Sequence, residues 1–344
     1  MLTDTQWHSG MYVPYIAEHM LMAKDSRYFN VKGAMINDPV IGYPALTQAT
    51  VNYFTQFWNN ILSFNETICG YIANLSKTCG YDKYIDTYLT FPPLKAQPAP
   101  NNLPGSIGEG TGTISSCDAI QYFQSSAMEL NPAFNVYQIA QALPIPWDVL
   151  GEPATNPYIP PGEQIYFNRQ DVKKAINAPA NVDWKLCGTS NRGVFAVSDT
   201  SVPSSNGPLP YVIETTNNVM INHGSLDSLL TVNGTLLAVQ NMTWHNKMGF
   251  QSPLEQPLFV PYHKNLDLRV ASGQGIMGTW RQERGLTLSI VAKAGHMIPT
   301  TQPAAAFRHL QVLLGRVRNL SSADAFHINT SMPLQPVNPF SEEI

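Results

Sequence analysis

Two residues in this sequence have the type and setting to do acid–base chemistry. His296 stands in Ala294-Gly295-His296-Met297-Ile298-Pro299, directly after the apolar run Leu286 to Val291. An imidazole delivered to a loop by a strand is well placed to act as a general base. Asp227 closes Val219-Met220-Ile221-Asn222-His223-Gly224-Ser225-Leu226-Asp227, just past a second apolar run. A carboxylate so placed can orient an imidazole and stabilise its cation. Either residue alone is commonly a turn, cap or core group. Together, acid before base and each just past a strand, they have the order of the last two members of a nucleophile–acid–base triad. The first member, an activated hydroxyl, would lie upstream.

The elements that would hold these residues read as an alternation of strands and helices. Tyr12 to Ala23 is helical by the stripe Val13, Ile16, Ala17, Met20 and Leu21, with Pro14 in the first turn. Val31 to Asn37 is a short buried strand ended by Asp38-Pro39. Val51 to Phe64 and Asp118 to Leu130 are helical stretches, and Phe91 to Gly112 and Leu143 to Gly162 are Pro/Asn/Gly-rich loops. Asn168 to Asn177 is a helix with Asn168 expected as its N-cap and Asp171 at the third position. Strands follow at Val219 to Asn222, Gly275 to Arg281 and Leu286 to Ala292, the last two joined by the hairpin signal Gln282-Glu283-Arg284-Gly285. A last helix opens at Pro303, with Phe307, Leu310, Leu313, Leu314 and Val317 along one side. This order predicts an α/β fold, a parallel sheet interrupted by a mostly helical insertion.

Composition narrows the function classes. The 344 residues are 44% hydrophobic and 13% charged, a globular composition. A net charge of -4 argues against a nucleic-acid partner. No apolar run is long enough to be a membrane span. Six Asn-X-Ser/Thr sequons begin at Asn65, Asn74, Asn233, Asn241, Asn319 and Asn329, a density that suits the secretory pathway. Disulfides among Cys69, Cys79, Cys117 and Cys187 are then plausible, with connectivity open. Met1 to His8 carries no signal-peptide pattern, so the N-terminus is expected to be missing or mis-started.

At these residues a resemblance emerges. Gly295-His296-Met297-Ile298-Pro299 with Gln302-Pro303 resembles the histidine segment of the serine carboxypeptidases, a family of the α/β-hydrolase fold. Gly224-Ser225-Leu226-Asp227 resembles the aspartate segment, and Tyr166-Phe167-Asn168-Arg169 through Ile176 the helix before it. Ile36-Asn37-Asp38-Pro39 resembles the strand after the nucleophile. Gly278-Thr279-Trp280 with Glu283-Arg284-Gly285-Leu286-Thr287 is similar to fungal members. The resemblance runs from Gly10 through nearly the whole chain.

It implies Asp227 as orienting acid, His296 as general base and Met297 beside the leaving-group pocket. It implies release of single residues from peptide or protein C-termini, in a secreted or vacuolar setting, with no cofactor and no metal. It also implies a core of residues 1–45 and 206–344 with a largely helical cap at 46–205. Cys69 and Cys79 are expected to pair locally, and Cys187 to lack the partner that the family places upstream.

The sequence departs from the family at the nucleophile. The family carries Gly-Glu-Ser-Tyr, a small residue and Gly, then one residue and Tyr-Val-Pro. Gly10-Met11-Tyr12-Val13-Pro14 fixes the register, so Ser9 falls on the small residue and Trp7 on the serine. A nucleophile elbow needs a small hydroxyl in a strained strand-to-helix turn with glycines beside it, and Trp7 supplies neither. The nearest candidate hydroxyl, Ser9, is two residues out of register on the helix side, with Trp7 and Met11 where an elbow would want glycines. The glycine-rich oxyanion segment of the family has no counterpart, and the first strands, including the one leading into the elbow, are expected to precede residue 1.

The chain is therefore expected to be an N-terminally truncated, incomplete α/β-hydrolase of this family, inactive as written. Its open sheet edge is expected to invite aggregation. The alternatives are a non-catalytic derivative that binds peptides or a partner, and an acyltransferase on the same scaffold.

Overall fold

The computed structural model describes residues 2–4, 9–108, 112–141, 162, 164–184, 201–262 and 273–326. The expected loop at 143–162 falls almost wholly outside the described residues, as do Trp7, Cys187 and Asn329.

Six strands form the main sheet: β1 (Leu2–Asp4), β2 (Ala34–Asn37), β5 (Val219–Gly224), β8 (Gln256–Val260), β9 (Gly275–Glu283) and β10 (Leu286–Val291). Two short hairpins lie apart, β3 (Ser106–Ile107) with β4 (Gly112–Thr113), and β6 (Thr243–Trp244) with β7 (Lys247–Met248). The spatial order of the sheet is β1-β2-β5-β10-β9-β8. The first four strands run parallel, while β9 and β8 are antiparallel to their neighbours.

Both faces of the parallel strands are covered, which explains their near-continuous apolar runs: every residue of β2 and β5 is buried. Helices α1 (Ser9–Met22), α7 (Pro208–Thr216) and α8 (Val232–Asn241) belong to one layer. With Ile36, Ile221 and Leu288 they share one apolar cluster. The other face carries α9 (Ile298–Thr301) and α10 (Pro303–Leu313), where Leu313 meets Met35 and Met220. Between β2 and α7 come α2 (Pro44–Leu62), α3 (Glu66–Thr78), α4 (Tyr81–Tyr88), α5 (Ala119–Leu130) and α6 (Gln170–Ala175). α2 packs on α3, α4 and α5 and also on α8, so one contiguous core joins these helices to the sheet.

The hairpin between β9 and β10 turns on Arg284 and Gly285, both with positive φ (52° and 82°). This is the primed two-residue turn whose twist suits antiparallel strands.

Three expectations are corrected. The strand expected to precede residue 1 has a counterpart within the chain: Leu2–Asp4 pairs in parallel with Ala34–Ile36. Its three residues have no apolar alternation, and it is recognisable only by its backbone pairing.

Asn168 is not the N-cap of α6. Residues Tyr166–Asn168 form a 3-10 turn, so the helix starts later and Arg169 takes the cap position. The Asn168 side chain instead accepts from the Trp184 amide at 2.7 Å.

Cys69 and Cys79 do not pair. They sit ten residues apart along α3 and its cap, about 15 Å at 1.5 Å per residue, beyond the reach of a disulfide. Cys79 bonds Cys117 across a Cα separation of 5.8 Å, tying the end of α3 to the 3-10 turn Ser115–Cys117 just before α5, and Cys69 is unpaired with any cysteine among the described residues.

Candidate active site

β2, β5 and β10 are parallel neighbours, so their C-terminal ends open on one side of the sheet. That rim is where open α/β sheets place their ligands. Asp38 follows β2, Asp227 follows β5 by three residues and His296 follows β10 by five. Register aligns the strand ends, with Asn37 opposite Asn222 and Gly224 opposite Val291.

Two glycines let the loops close on one another. A Cβ on Gly224 would lie 2.2 Å from the carbonyl oxygen of Gly295, and one on Gly295 would lie 2.1 Å from that of Tyr137. Backbone bonds use that closeness. Leu226 N donates to Ala294 O (2.8 Å), Ser225 N to Val291 O (3.0 Å) and His296 N to Tyr137 O (2.7 Å). The turn around Asn135–Gln141 is thus a third element of the corner, and the Tyr137 ring lies 5.6 Å from the His296 ring.

Within this frame His296 Nδ1 donates to Asp227 Oδ2 at 2.8 Å. Asp227 is fully buried and His296 is 4% exposed. The second carboxylate oxygen of Asp227 accepts from the amides of Leu229 (2.9 Å) and Leu230 (3.1 Å). Three donors fix the carboxylate, and it in turn fixes the imidazole tautomer, which leaves Nε2 with its lone pair. An acid–imidazole pair so arranged can take a proton from a hydroxyl or a water and return it to a leaving group.

Two further buried titratable groups stand beside this pair, and neither was singled out for chemistry from the sequence. Asp38 is fully buried with a positive φ of 46°. Its Oδ1 accepts from Gly224 N at 2.6 Å and lies 3.6 Å from His223 Nε2, while Oδ2 is unpartnered among the described residues. Burial, and secondly the nearby Asp227, push its pKa well above the ordinary carboxylate value. His223 Nε2 donates to Leu230 O (2.6 Å) and Nδ1 accepts from the Thr235 hydroxyl (3.2 Å). Burial lowers its pKa, in keeping with a neutral ring.

Asp38, Asp227 and His296 bring three ligand-type atoms within 4.8 Å of one another, the spacing of a possible metal site. The hydrogen bond between Asp227 and His296 uses two of the same three side chains and accounts for their arrangement without an ion.

A second buried polar chain occupies the opposite face of the same strands. Asn222 Nδ2 donates to Asn37 Oδ1 (2.9 Å), and Ser289 Oγ donates to Asn222 Oδ1 (2.8 Å) and lies 3.0 Å from His309 Nε2. Burial lowers the His309 pKa to about 3.

The other sequence-marked residues are dispersed. Met297 caps α9 and is 37% exposed beside His296. Ser9 opens α1. Asn65 caps α3 by accepting from Ile68 N, Asn74 is exposed on α3, Asn233 is the second residue of α8, and Asn241 accepts from Gln97 N at its end. Asn319 accepts from Ser321 N. Among the described residues no helix is long and apolar enough to cross a membrane.

Comparison with known proteins matches this geometry to a family. The profile described as serine carboxypeptidase matches residues 5–316. A probable serine carboxypeptidase of Arthroderma benhamiae is 42% identical over 316 residues, covering 91% of this chain and 57% of that protein. The serine-type carboxypeptidase F of Aspergillus niger is 38% identical over 328 residues, covering 90% of this chain and 60% of that protein. The solved structure of a prohormone-processing carboxypeptidase of Saccharomyces cerevisiae superposes with a TM-score of 0.56 at 16% identity, over 91% of this chain and 60% of that one, a likeness of fold. With its α/β-hydrolase sheet and an acid–imidazole pair at the strand ends, the chain belongs to the serine carboxypeptidase family.

Proposed function

We propose that Asp227 and His296 are the orienting acid and general base of a serine carboxypeptidase site, and that the site is silent in this chain. The 2.8 Å bond from His296 Nδ1 to Asp227 Oδ2 carries the reading. In acyl-enzyme chemistry Nε2 takes the proton of an attacking hydroxyl and returns it to the departing amine. The register fixed by Gly10-Met11-Tyr12-Val13-Pro14 puts Trp7 where that hydroxyl belongs, and an indole carries no nucleophilic oxygen. The ligands are peptide or protein C-termini, with Met297 bordering the pocket of the released residue. Residues 46–205 act as cap over a core of 1–45 and 206–344. Six sequons support a secreted or vacuolar setting.

The test is labelling with a serine-reactive phosphonate, together with mass-spectrometric detection of residues released from peptide C-termini. The unaltered chain is expected to give no adduct and no release. An adduct on Ser9, or release that His296→Ala abolishes, overturns the silent reading. Peptide retention without cleavage would favour the binding derivative.

A further inference from the structure

A cleft of about 480 Å³ opens on the α2–α8 side of the sheet; Ser225 and Ala292, just past β5 and β10, reach its lining, but none of Asp38, Asp227, His296 or Tyr137 does. Its volume is that of a small-molecule site. One wall is the aromatic face of α2, with Tyr53, Phe54, Phe57 and Trp58. Phe57 and Trp58 meet edge to face at 4.8 Å, and Phe57 is 74% exposed. An exposed aromatic shelf of this kind marks a surface that something covers.

The same lining includes Asn233, in the sequon Asn233-Gly234-Thr235. Asn233 is the second residue of α8, lines the cleft and is partly exposed. Thr235 is buried and hydrogen-bonded to His223 in the folded chain. That burial is no obstacle to a modification made before the chain folds. Among the sequons whose asparagine is described, this is the one that lines the cleft.

We propose that Asn233 carries an N-linked glycan whose first N-acetylglucosamine lies in this cleft against Phe57 and Trp58. The inference rests on the secretory reading above. Transfer forms a bond from Asn233 Nδ2 to the anomeric carbon of the sugar. It breaks that carbon's bond to the diphosphate of a lipid-linked oligosaccharide donor, releasing the lipid diphosphate and one amide proton. The tether holds the sugar at high local concentration beside the rings, so modest stacking of its C–H face is enough to seat it. The glycan thereby covers the apolar shelf of α2.

The test is expression in a eukaryotic secretory host behind a heterologous signal peptide, with glycopeptide mapping and timed endoglycosidase digestion of the folded protein. Asn74, exposed on α3, is the internal control for entry into the pathway. The expected result is occupancy at both sites, with release from Asn233 on the order of ten-fold slower than from Asn74, the factor that one aromatic contact near the upper end of its usual worth gives. The double substitution Phe57→Ala with Trp58→Ala should bring the two rates together. Asn74 occupied with Asn233 bare overturns the proposal and spares the secretory reading, whereas both bare overturns the two together. Equal release rates in the unaltered chain, a dimer closing the cleft or a peptide bound in it each overturn the proposal.

Discussion

The two faces of β2, β5 and β10 bear two buried polar clusters that differ in kind. On one face, Asn37, Asn222, Ser289 and His309 form a chain of neutral groups linking three strands to α10. At the strand ends, Asp38, Asp227, His223 and His296 crowd two carboxyl groups and two imidazoles into one pocket. The first cluster joins neutral donors to acceptors and is a device for packing. The second places Asp38, already raised in pKa by burial, close enough to Asp227 to be raised further, an arrangement that favours proton movement over stability. The sheet's period of two puts adjacent residues Asn222 and His223 into opposite clusters.

Breaking the strand-end cluster should cost most. Asp227→Ala strands His296 Nδ1 and the amides of Leu229 and Leu230 in a buried setting, an expected loss of about 3–5 kcal/mol in denaturant unfolding. A loss below 1 kcal/mol would mean that the corner is wetter than its burial indicates. Ser289→Ala removes the middle of the neutral chain. It should cost about 1–3 kcal/mol through the groups left unpaired, with no change in any reactivity of His296.

The comparison sharpens in pH dependence. The raised pKa of Asp38 means that the folded state binds the extra proton, so its contribution is present below the unfolded value of about 3.9 and is lost as pH rises through the folded pKa. His309 has the opposite sign. Its folded pKa near 3 lies below the unfolded value of about 6.5, so its contribution is intact above that value and is lost as pH falls toward 3. Each can tilt stability by at most about 1.4 kcal/mol per pH unit. His223, also lowered by burial, acts in the same sense as His309. Asp38→Asn should make the chain gain stability more steeply with rising pH, and His309→Gln should flatten the acid-side loss. Identical pH profiles for the two variants would remove the distinction between the faces.

The smallest effect is expected at Met297→Ala, within about 0.5 kcal/mol on stability because the side chain is partly exposed. A large loss there would make Met297 part of the fold as well as of the rim.

The acid and base were legible in the sequence because each follows an apolar run that can only be a buried strand, and the spacing past the run puts both on the same rim. Asp38 was legible only as the end of a strand, in Asp38-Pro39. Its approach to Asp227 depends on the pairing of β2 with β5 across some 180 residues, which no local pattern encodes. His223 read as one more strand residue, and the Tyr137 turn carried no periodic signal. β1 was missed for a related reason, since three residues paired by backbone alone leave no side-chain trace. The cysteine pairing failed because proximity in sequence along a helix is distance in space.

Gly224 and Gly295 touch neither Asp227 Oδ2 nor His296 Nδ1, yet they act as the gauge of the acid–base pair. At each glycine the nearest atom that a Cβ would meet is a main-chain carbonyl oxygen, which cannot swing aside as a long side chain can. Even alanine at either position must push the histidine loop off the end of β5 or off the Tyr137 turn. Tolerance to substitution at the site is therefore lowest at two residues that carry no functional group at all.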